Sequence, residues 1–337
     1  MKSCLLIIIL SLVSSVVVAQ MDTCISNLKS AATYYADGSY DEAITILNST
    51  LKVCPLSKQD QIQANKLLIL CYLGIDNIEA ANSAAAAIMK IDPTYTPDKF
   101  KDDPKLSSLF KKFKPEPTLA VSVGGGINIP DVHVVQTYSV VHADTSAGLA
   151  SYKSVFDYQL MAGIEKRVYR NLWVEAGFEF RNTDYKHILD SVESSTIFYR
   201  ENIDYFDFPL SLKFYFLRNA LMPYVQAGVD FSFLSKALST TTRNDQKDLV
   251  DRTALRNGFD LGYFGAAGAS YSVRLFRIFG EIGFTYFPGF INKAGARYAD
   301  DINLYKYYYV DDDFKMNNIQ FNLGISYILA HKITKVK

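Results

Sequence analysis

The chain has 337 residues, of which 49% are hydrophobic, 14% are aromatic and 21% are charged. This composition excludes a disordered or fibrous protein, and the length allows two domains. The chain contains 35 Lys and Arg residues together and 35 Asp and Glu residues together, so its formal net charge is zero. Without excess positive charge to neutralise a phosphate backbone, the chain is not expected to bind nucleic acid.

The first 19 residues have the pattern of a secretory signal peptide. Lys2 precedes an apolar run from Leu5 to Val18, and the small residue Ala19 follows. The mature chain is therefore expected to begin near Gln20. No later stretch reaches the about 18 uncharged apolar residues that a membrane-spanning helix needs.

Three cysteines remain after export, in a compartment where disulfides persist. Cys24 and Cys54 lie at the outer ends of predicted helices, whereas Cys71 lies inside an apolar run. We expect a bridge between Cys24 and Cys54; the alternative is that all three are packed thiols.

Residues 20–113 are predicted to form a helical domain, because apolar residues recur at helical spacing and Pro and Gly stand only at boundaries. Residues 38–55 align with residues 76–93 at an offset of 38 residues, which indicates an internal repeat. A further short helix over 103–113 is expected to cap the stack.

This segment resembles the tetratricopeptide repeat. Ala43 and Ala81 match the small residue that lets paired helices pack closely, and Pro55 and Pro93 match the proline that ends each pair. The resemblance implies a protein-binding inner face; in the alternative interpretation the same residues pack against the next domain. The candidate partner-binding residues on this face are Leu28, Tyr35, Gln63, Lys66 and Leu70.

After a predicted linker at 114–117, the periodicity changes to strict alternation. These runs reach the about 9–11 residues of a tilted transmembrane strand, whereas soluble strands average about 5–6. Residues 118–330 are therefore predicted to form an eight-stranded antiparallel transmembrane β-barrel. The predicted strands are 118–129, 155–167, 171–184, 203–217, 222–234, 258–274, 278–289 and 317–330.

The predicted connections alternate between tight turns and long loops, as in bacterial outer-membrane barrels. The long loops are expected near 130–154, 185–202, 235–257 and 290–316. Both ends of the barrel then lie on the short-turn side. The helical domain and a basic tail, 331–337, are therefore expected in the periplasm.

With this mixed, two-domain architecture the chain resembles small outer-membrane β-barrel proteins of Gram-negative bacteria that carry an N-terminal tetratricopeptide-like periplasmic domain. The resemblance implies localisation in the outer membrane, contact with its lipid, and an envelope protein partner in a larger complex. The sequence after the last strand contains no peptidoglycan-binding domain, and no cofactor is expected.

Alternation places many charged side chains inside the barrel. They could line a path for protons or cations, but eight strands enclose a space that side chains fill, which favours a salt-bridged plug. The predicted lumen charge network is Glu175, Glu179, Arg181, Asp207, Lys213, Asp230, Arg274 and Glu281, with Asp157, Glu165 and Asp260 also directed inward.

The fourth long loop is rich in Tyr and Asp. Its candidate partner-binding residues are Tyr305, Tyr307, Tyr308 and Tyr309, and the adjacent carboxylates of residues 311–313 could bind calcium. The remaining interpretation is an extension of the barrel wall with a solvated tip.

The sequence favours a non-enzymatic protein, since its four His follow no known nucleophile or zinc-binding spacing. We expect an outer-membrane anchor whose helical domain docks another envelope protein, as a subunit of a machine for secretion, motility or barrel assembly. The alternative function is a narrow channel for ions or small solutes through the lumen.

Overall fold

The computed structural model describes residues 22–138, 150–190, 196–293 and 295–335. The chain divides into two compact units. Of the described residues, the first unit comprises 22–116 together with 331–335, and the second comprises those between 117 and 330.

The first unit is built from five described helices. Side chains of Ser57, Asn77 and Asp103 cap the third, fourth and fifth helices by accepting backbone N–H bonds, as residues at helix starts do. The bounds are α1 over 22–36, α2 Tyr40–Val53, α3 Lys58–Gly74, α4 Ile78–Ile91 and α5 Pro104–Phe110.

The turns that precede α2 and α4 have the same backbone conformation. Gly38 ends the connection into α2 and Asp76 ends the connection into α4, and both adopt the left-handed backbone conformation, with φ of 81° and 56°. Ala43 and Ala81 are fully buried, so a larger side chain at either position would force the packed helices apart. The helices therefore form two successive hairpins around one apolar core.

A disulfide joins Cys24 in α1 to Cys54 at the end of α2, with 5.9 Å between their Cα atoms. Cys71 is a free, buried thiol. Burial disfavours its thiolate and raises the pKa of Cys71 to about 11. Cys71 is therefore a small core residue, whereas the disulfide ties the first two helices together.

The second unit is an antiparallel barrel. Eight strands close a ring in the order β1, β3, β4, β5, β6, β8, β9 and β10, while β2 pairs with β4 and β7 pairs with β6 beyond the ring. The strand bounds are β1 Phe113–Gln136, β2 Ala150–Ser154, β3 Asp157–Tyr169, β4 Leu172–Asp190, β5 Thr196–Tyr215, β6 Leu221–Arg243, β7 Gln246–Asp251, β8 Phe259–Val273, β9 Phe276–Tyr286 and β10 Asp313–Lys335.

The strands are longer at the long-loop end than the sequence predicted. β4 and β5 pair as far as Asp190 and Thr196, and β6 continues to Arg243 before turning into β7. Much of two predicted loops, 185–202 and 235–257, is therefore barrel wall. Because this extension has polar residues on both faces, its sequence lacks the alternation of apolar and polar residues by which the lower strands were predicted.

Two predicted terminal segments are strands as well. The expected linker, 114–117, is the beginning of β1, since proline is compatible with extended backbone where its missing N–H is not needed. Most of the expected tail is the end of β10, where Thr334 Oγ1 donates to the Lys114 carbonyl at 3.0 Å. Ile333 packs against the apolar core of the helical unit.

The outer surface of the barrel carries an apolar belt of exposed side chains. On β4 the positions in line with Phe178 and Phe180 are polar from Asn182 onward, and Asn182 and Asp184 are buried, so the belt ends there on the long-loop side. Among the helices of the described ranges, none is long and apolar enough to cross a membrane. Members of the belt on other strands include Leu160, Ile164, Phe208, Leu212, Phe231, Ile282, Leu323 and Ile325.

Candidate functional site

The lumen near the short turns is filled by a compact ion cluster. Glu165 and Glu175 lie directly opposite each other on β3 and β4, an arrangement that destabilises the sheet unless cations offset it. Arg277 Nη1 lies 2.6 Å from Glu165 Oε1, and Lys213 Nζ lies 2.5 Å from Glu175 Oε2. The Arg277 guanidinium also lies 4.8 Å from the ring centre of Trp173 and forms a cation–π contact with it at this level of the lumen.

A second ion pair lies further along the lumen. Arg181 Nε donates to Asp207 Oδ2 at 2.7 Å, and Arg181 Nη2 donates to Ser232 Oγ at 3.1 Å. Glu179 lies directly opposite Asp207, and Asp230 is buried on the neighbouring strand β6. Between the two levels remains a cavity of about 40 Å³, lined by Glu175, Glu179, Gln226, Asp230 and Glu281 among others.

The prediction that Arg274 belongs to the lumen network is wrong. Arg274 is exposed in the tight turn after β8, where it adopts a left-handed φ of 55°. β8 ends at Val273, so the alternation that would have directed Arg274 inward stops one residue earlier. The inward arginine is Arg277, which is reached by counting back from Glu281 in steps of two.

At the long-loop end, buried ions and tyrosines fill the barrel above the belt. Arg256 contacts Glu201 Oε1 at 2.7 Å and Asp311 Oδ2 at 2.7 Å, and Tyr185 and Tyr199 each donate to Glu201 Oε2 at 2.6 Å. Burial alone would raise the pKa of Asp311, but the nearby guanidinium groups, chiefly Arg256, outweigh it and lower the pKa. We call Arg252, Arg256, Glu201, Asp311, Tyr199 and Tyr309 the mouth cluster.

The Tyr-rich loop does not present its tyrosines as one contact surface. Tyr307 and Tyr309 are buried, at 0% and 2% exposure, and Tyr309 stacks on Tyr199 at 4.3 Å between ring centres. Tyr305 and Tyr308 remain exposed, at 72% and 53%. The loop folds inward because its carboxylates pair with arginines of the preceding loop, a contact that no local pattern reveals.

Each of the adjacent carboxylates that could have bound calcium has a partner of its own. Asp311 contacts Arg252 and Arg256, Asp312 accepts from the Tyr152 hydroxyl at 2.9 Å, and Asp313 pairs with Arg297 at 2.5 Å. Within the described ranges, no group of three or more His, Cys, Asp or Glu side chains could hold a metal ion.

His187 lies against the mouth cluster. Its ring stacks on Tyr152 at 3.9 Å between centres, and its Nδ1 lies 3.2 Å from the Tyr309 hydroxyl. Burial disfavours the imidazolium and lowers the pKa of His187 to about 4, against the opposing effect of Asp311. At 1% exposure this ring has no access to a substrate.

The helical unit contains a separate groove of about 300 Å³. Four of the five residues predicted for the inner face, Leu28, Gln63, Lys66 and Leu70, line it. The fifth, Tyr35, packs against the core instead. The other lining residues are Ala32, Leu47, Ala64 and Leu67.

Lys66, at one side of the groove, forms an ion pair with Asp102. Burial would raise the pKa of Asp102, but hydrogen bonds from Lys66 and the Asp98 backbone lower it. Tyr95 also donates to Asp102, at 3.3 Å. The groove is therefore an apolar trough with one neutralised cation at its edge.

A closed ring of eight long strands, apolar outside and filled by ion pairs inside, defines an integral membrane β-barrel protein. Residues 113–294 match the family model described as outer membrane protein beta-barrel domain. The chain belongs to this family and is a protein of the outer membrane, with its apolar belt in lipid.

Several solved barrels are similar in fold. Neisserial surface protein A is 10% identical, with 63% of this chain and 97% of that chain covered and a TM-score of 0.33. The N-terminal β-barrel domain of Pseudomonas aeruginosa OprF is 9% identical, with 64% and 98% covered and a TM-score of 0.30. Ail of Yersinia pestis is 10% identical, with 63% and 99% covered and a TM-score of 0.30. No curated protein matches the chain.

Proposed function

We propose that this protein is a non-enzymatic outer-membrane anchor whose tetratricopeptide-like helical unit lies in the periplasm and docks another envelope protein. The observation that carries this proposal is the groove of the helical unit, with its apolar floor and accessible rim. Ala32 and Gln63 at this rim are exposed. Grooves of this size and character bind protein segments by burying one or two apolar side chains.

The lumen supports an anchoring role for the barrel. Ion pairs fill it at the level of Arg277 and again at Arg181, and the mouth cluster fills it beyond the belt. A barrel packed in this way holds its attached unit at the membrane. It thereby raises the effective concentration of that unit for a membrane-bound partner, such as a subunit of a secretion, motility or barrel-assembly machine.

Photo-crosslinking from the groove tests the docking role. A photoreactive amino acid at Gln63 in the full-length chain should give a discrete adduct in native membranes. The substitution Ala32→Arg should abolish that adduct, because it places a charge in the apolar trough. Ser30→Arg, an exposed change on the same helix outside the groove, should leave it intact. Equal adducts in all three samples, or none in the parent protein, would contradict docking at this groove.

Passage of small cations through the lumen is the second candidate function, favoured by the carboxylates around the cavity. A channel should give unitary conductance in planar bilayers, and neutralising Glu175 or Asp230 should change it. A plugged anchor should be silent before and after either substitution.

A further inference from the structure

The lumen cavity contains two carboxylates without a counter-charge of their own. Glu179 faces Asp207 across β4 and β5, and its other charged neighbours are Asp230, Glu281 and Arg181. Arg181 is already engaged by Asp207 through Nε at 2.7 Å and Nη2 at 3.3 Å. Because the Arg181 guanidinium is already paired with Asp207 in this bidentate contact, it offsets the negative charges of Glu179 and Asp230 only weakly.

Atoms of these side chains are buried without a hydrogen-bond partner in the described part of the chain. They are Glu179 Oε1, Asp230 Oδ1 and the amide oxygen of Gln226. Glu179 is 6% exposed and Asp230 is 5% exposed. All three side chains line the cavity between the two ion-pair levels. Because buried polar oxygens are almost always satisfied, three acceptors without a partner around one space indicate that this space holds a hydrogen-bond donor or a cation.

The charge balance around the cavity favours a cation over a neutral donor. With Arg277 in place of Arg274 and with Glu165 included, the lumen network consists of Glu165, Glu175, Glu179, Arg181, Asp207, Lys213, Asp230, Arg277 and Glu281. It contains six carboxylates and three cationic side chains. Glu281 accepts from the Tyr224 hydroxyl at 2.7 Å and from Asn322 at 3.1 Å, so it is stabilised by neutral donors rather than by a cation.

The size of the cavity and its oxygens restrict the occupant. A volume of about 40 Å³ exceeds one water, since a single water needs about 10–15 Å³ of such space. The described residues offer no cluster of three acidic, His or Cys side chains for direct ligation, which disfavours a transition metal. We propose that the cavity binds one partly hydrated monovalent cation, Na⁺ or K⁺, between Glu179 and Asp230, with the Gln226 amide oxygen as a neutral ligand.

The proposal is tested on the full-length protein refolded into detergent micelles in sodium, potassium or choline chloride at equal ionic strength, since choline is too large for the cavity. After gel filtration in choline buffer, mass spectrometry of the elements should find about one Na⁺ or K⁺ per folded chain, because a buried unpaired carboxylate pair retains its counter-ion. The melting temperature should rise by about 3–6 °C when the cation is at about ten times its dissociation constant.

The double variant Glu179→Gln with Asp230→Asn should bind no cation, and its melting temperature should be the same in all three salts. Asp245→Asn removes one carboxylate from an exposed hairpin turn and should behave as the parent protein. A parent protein that contains no cation and melts at one temperature in all salts would overturn the proposal in favour of protonated carboxyl groups. Retention of calcium or magnesium instead would overturn its monovalent assignment. Both readouts on the parent protein decide the question even if the double variant does not fold.

Discussion

Gly38 and Asp76 occupy equivalent positions in the two helical hairpins, and both have the left-handed backbone conformation. Asp76 is the less suitable residue, because a Cβ makes that conformation costly, by about 1–2 kcal/mol, whereas Gly adopts it freely. A Cβ on Gly38 would meet no atom within 4 Å, so backbone preference alone separates the two residues. The two hairpins thus have the same turn geometry with different residues.

We expect Asp76→Gly to raise the free energy of unfolding of the helical unit by about 0.5–1 kcal/mol and Gly38→Ala to lower it by about 1 kcal/mol. Urea titrations of the full-length protein in micelles, followed by circular dichroism at 222 nm, would measure both effects. Lys29→Arg, an exposed change in α1 between two residues of similar helix propensity, is the neutral control. Destabilisation by Asp76→Gly would show that the Asp76 side chain, and not its backbone, stabilises the turn.

The disulfide between Cys24 and Cys54 closes a loop with a sequence separation of 30. We expect Cys24→Ala with Cys54→Ala to lower the stability of the helical unit by about 3 kcal/mol, since the cross-link restricts the unfolded chain. Without reductant, the unfolded mature chain should react with iodoacetamide at Cys71 alone; after reduction it should react at three sites. Three reactive thiols before reduction would contradict the bridge.

Sequence patterns predicted most of the lower barrel because there each strand separates lipid from a packed lumen, and a period of two follows directly. The eight-stranded ring was predicted from this alternation. The mouth cluster was not predicted, because Arg252, Arg256 and Asp311 lie in segments without periodicity and meet through long-range contacts. Glu201 lay at the end of a predicted loop for the same reason.

The error at Arg274 has a different origin and leads to a paired prediction. Arg277→Ala should leave Glu165 buried without its closest cation and destabilise the barrel by about 3–5 kcal/mol. Arg274→Ala removes the same side chain from an exposed turn and should change stability by less than about 0.5 kcal/mol. The temperature at which the folded band disappears on a semi-native gel would measure both. Equal losses for the two variants would place Arg274 back among the stabilising charges.

His187 provides a test of the mouth cluster through pH. Its pKa in the folded protein is lowered to about 4, below the ordinary value of 6.5, because burial penalises the imidazolium. The unfolded chain therefore binds more protons than the folded chain between these two values. The contribution of His187 to stability is fully present above pH 6.5 and is lost as the pH falls toward 4.

We expect the melting temperature of the parent protein in micelles to fall from pH 6.5 to pH 4.5, with a change in stability of roughly 1.4 kcal/mol per pH unit from this group. His187→Gln keeps a polar side chain but cannot be protonated, so its melting temperature should vary less with pH over the same window. Asp312, with Oδ2 at 3.9 Å from His187 Nε2, has a pKa raised by burial and opposes the effect. The difference between parent and variant at each pH measures the protonation of His187 together with its interaction with the neighbouring carboxylates. Parallel pH profiles for the two proteins would mean that His187 is solvated in the folded state, and that the mouth cluster is open to water at this ring.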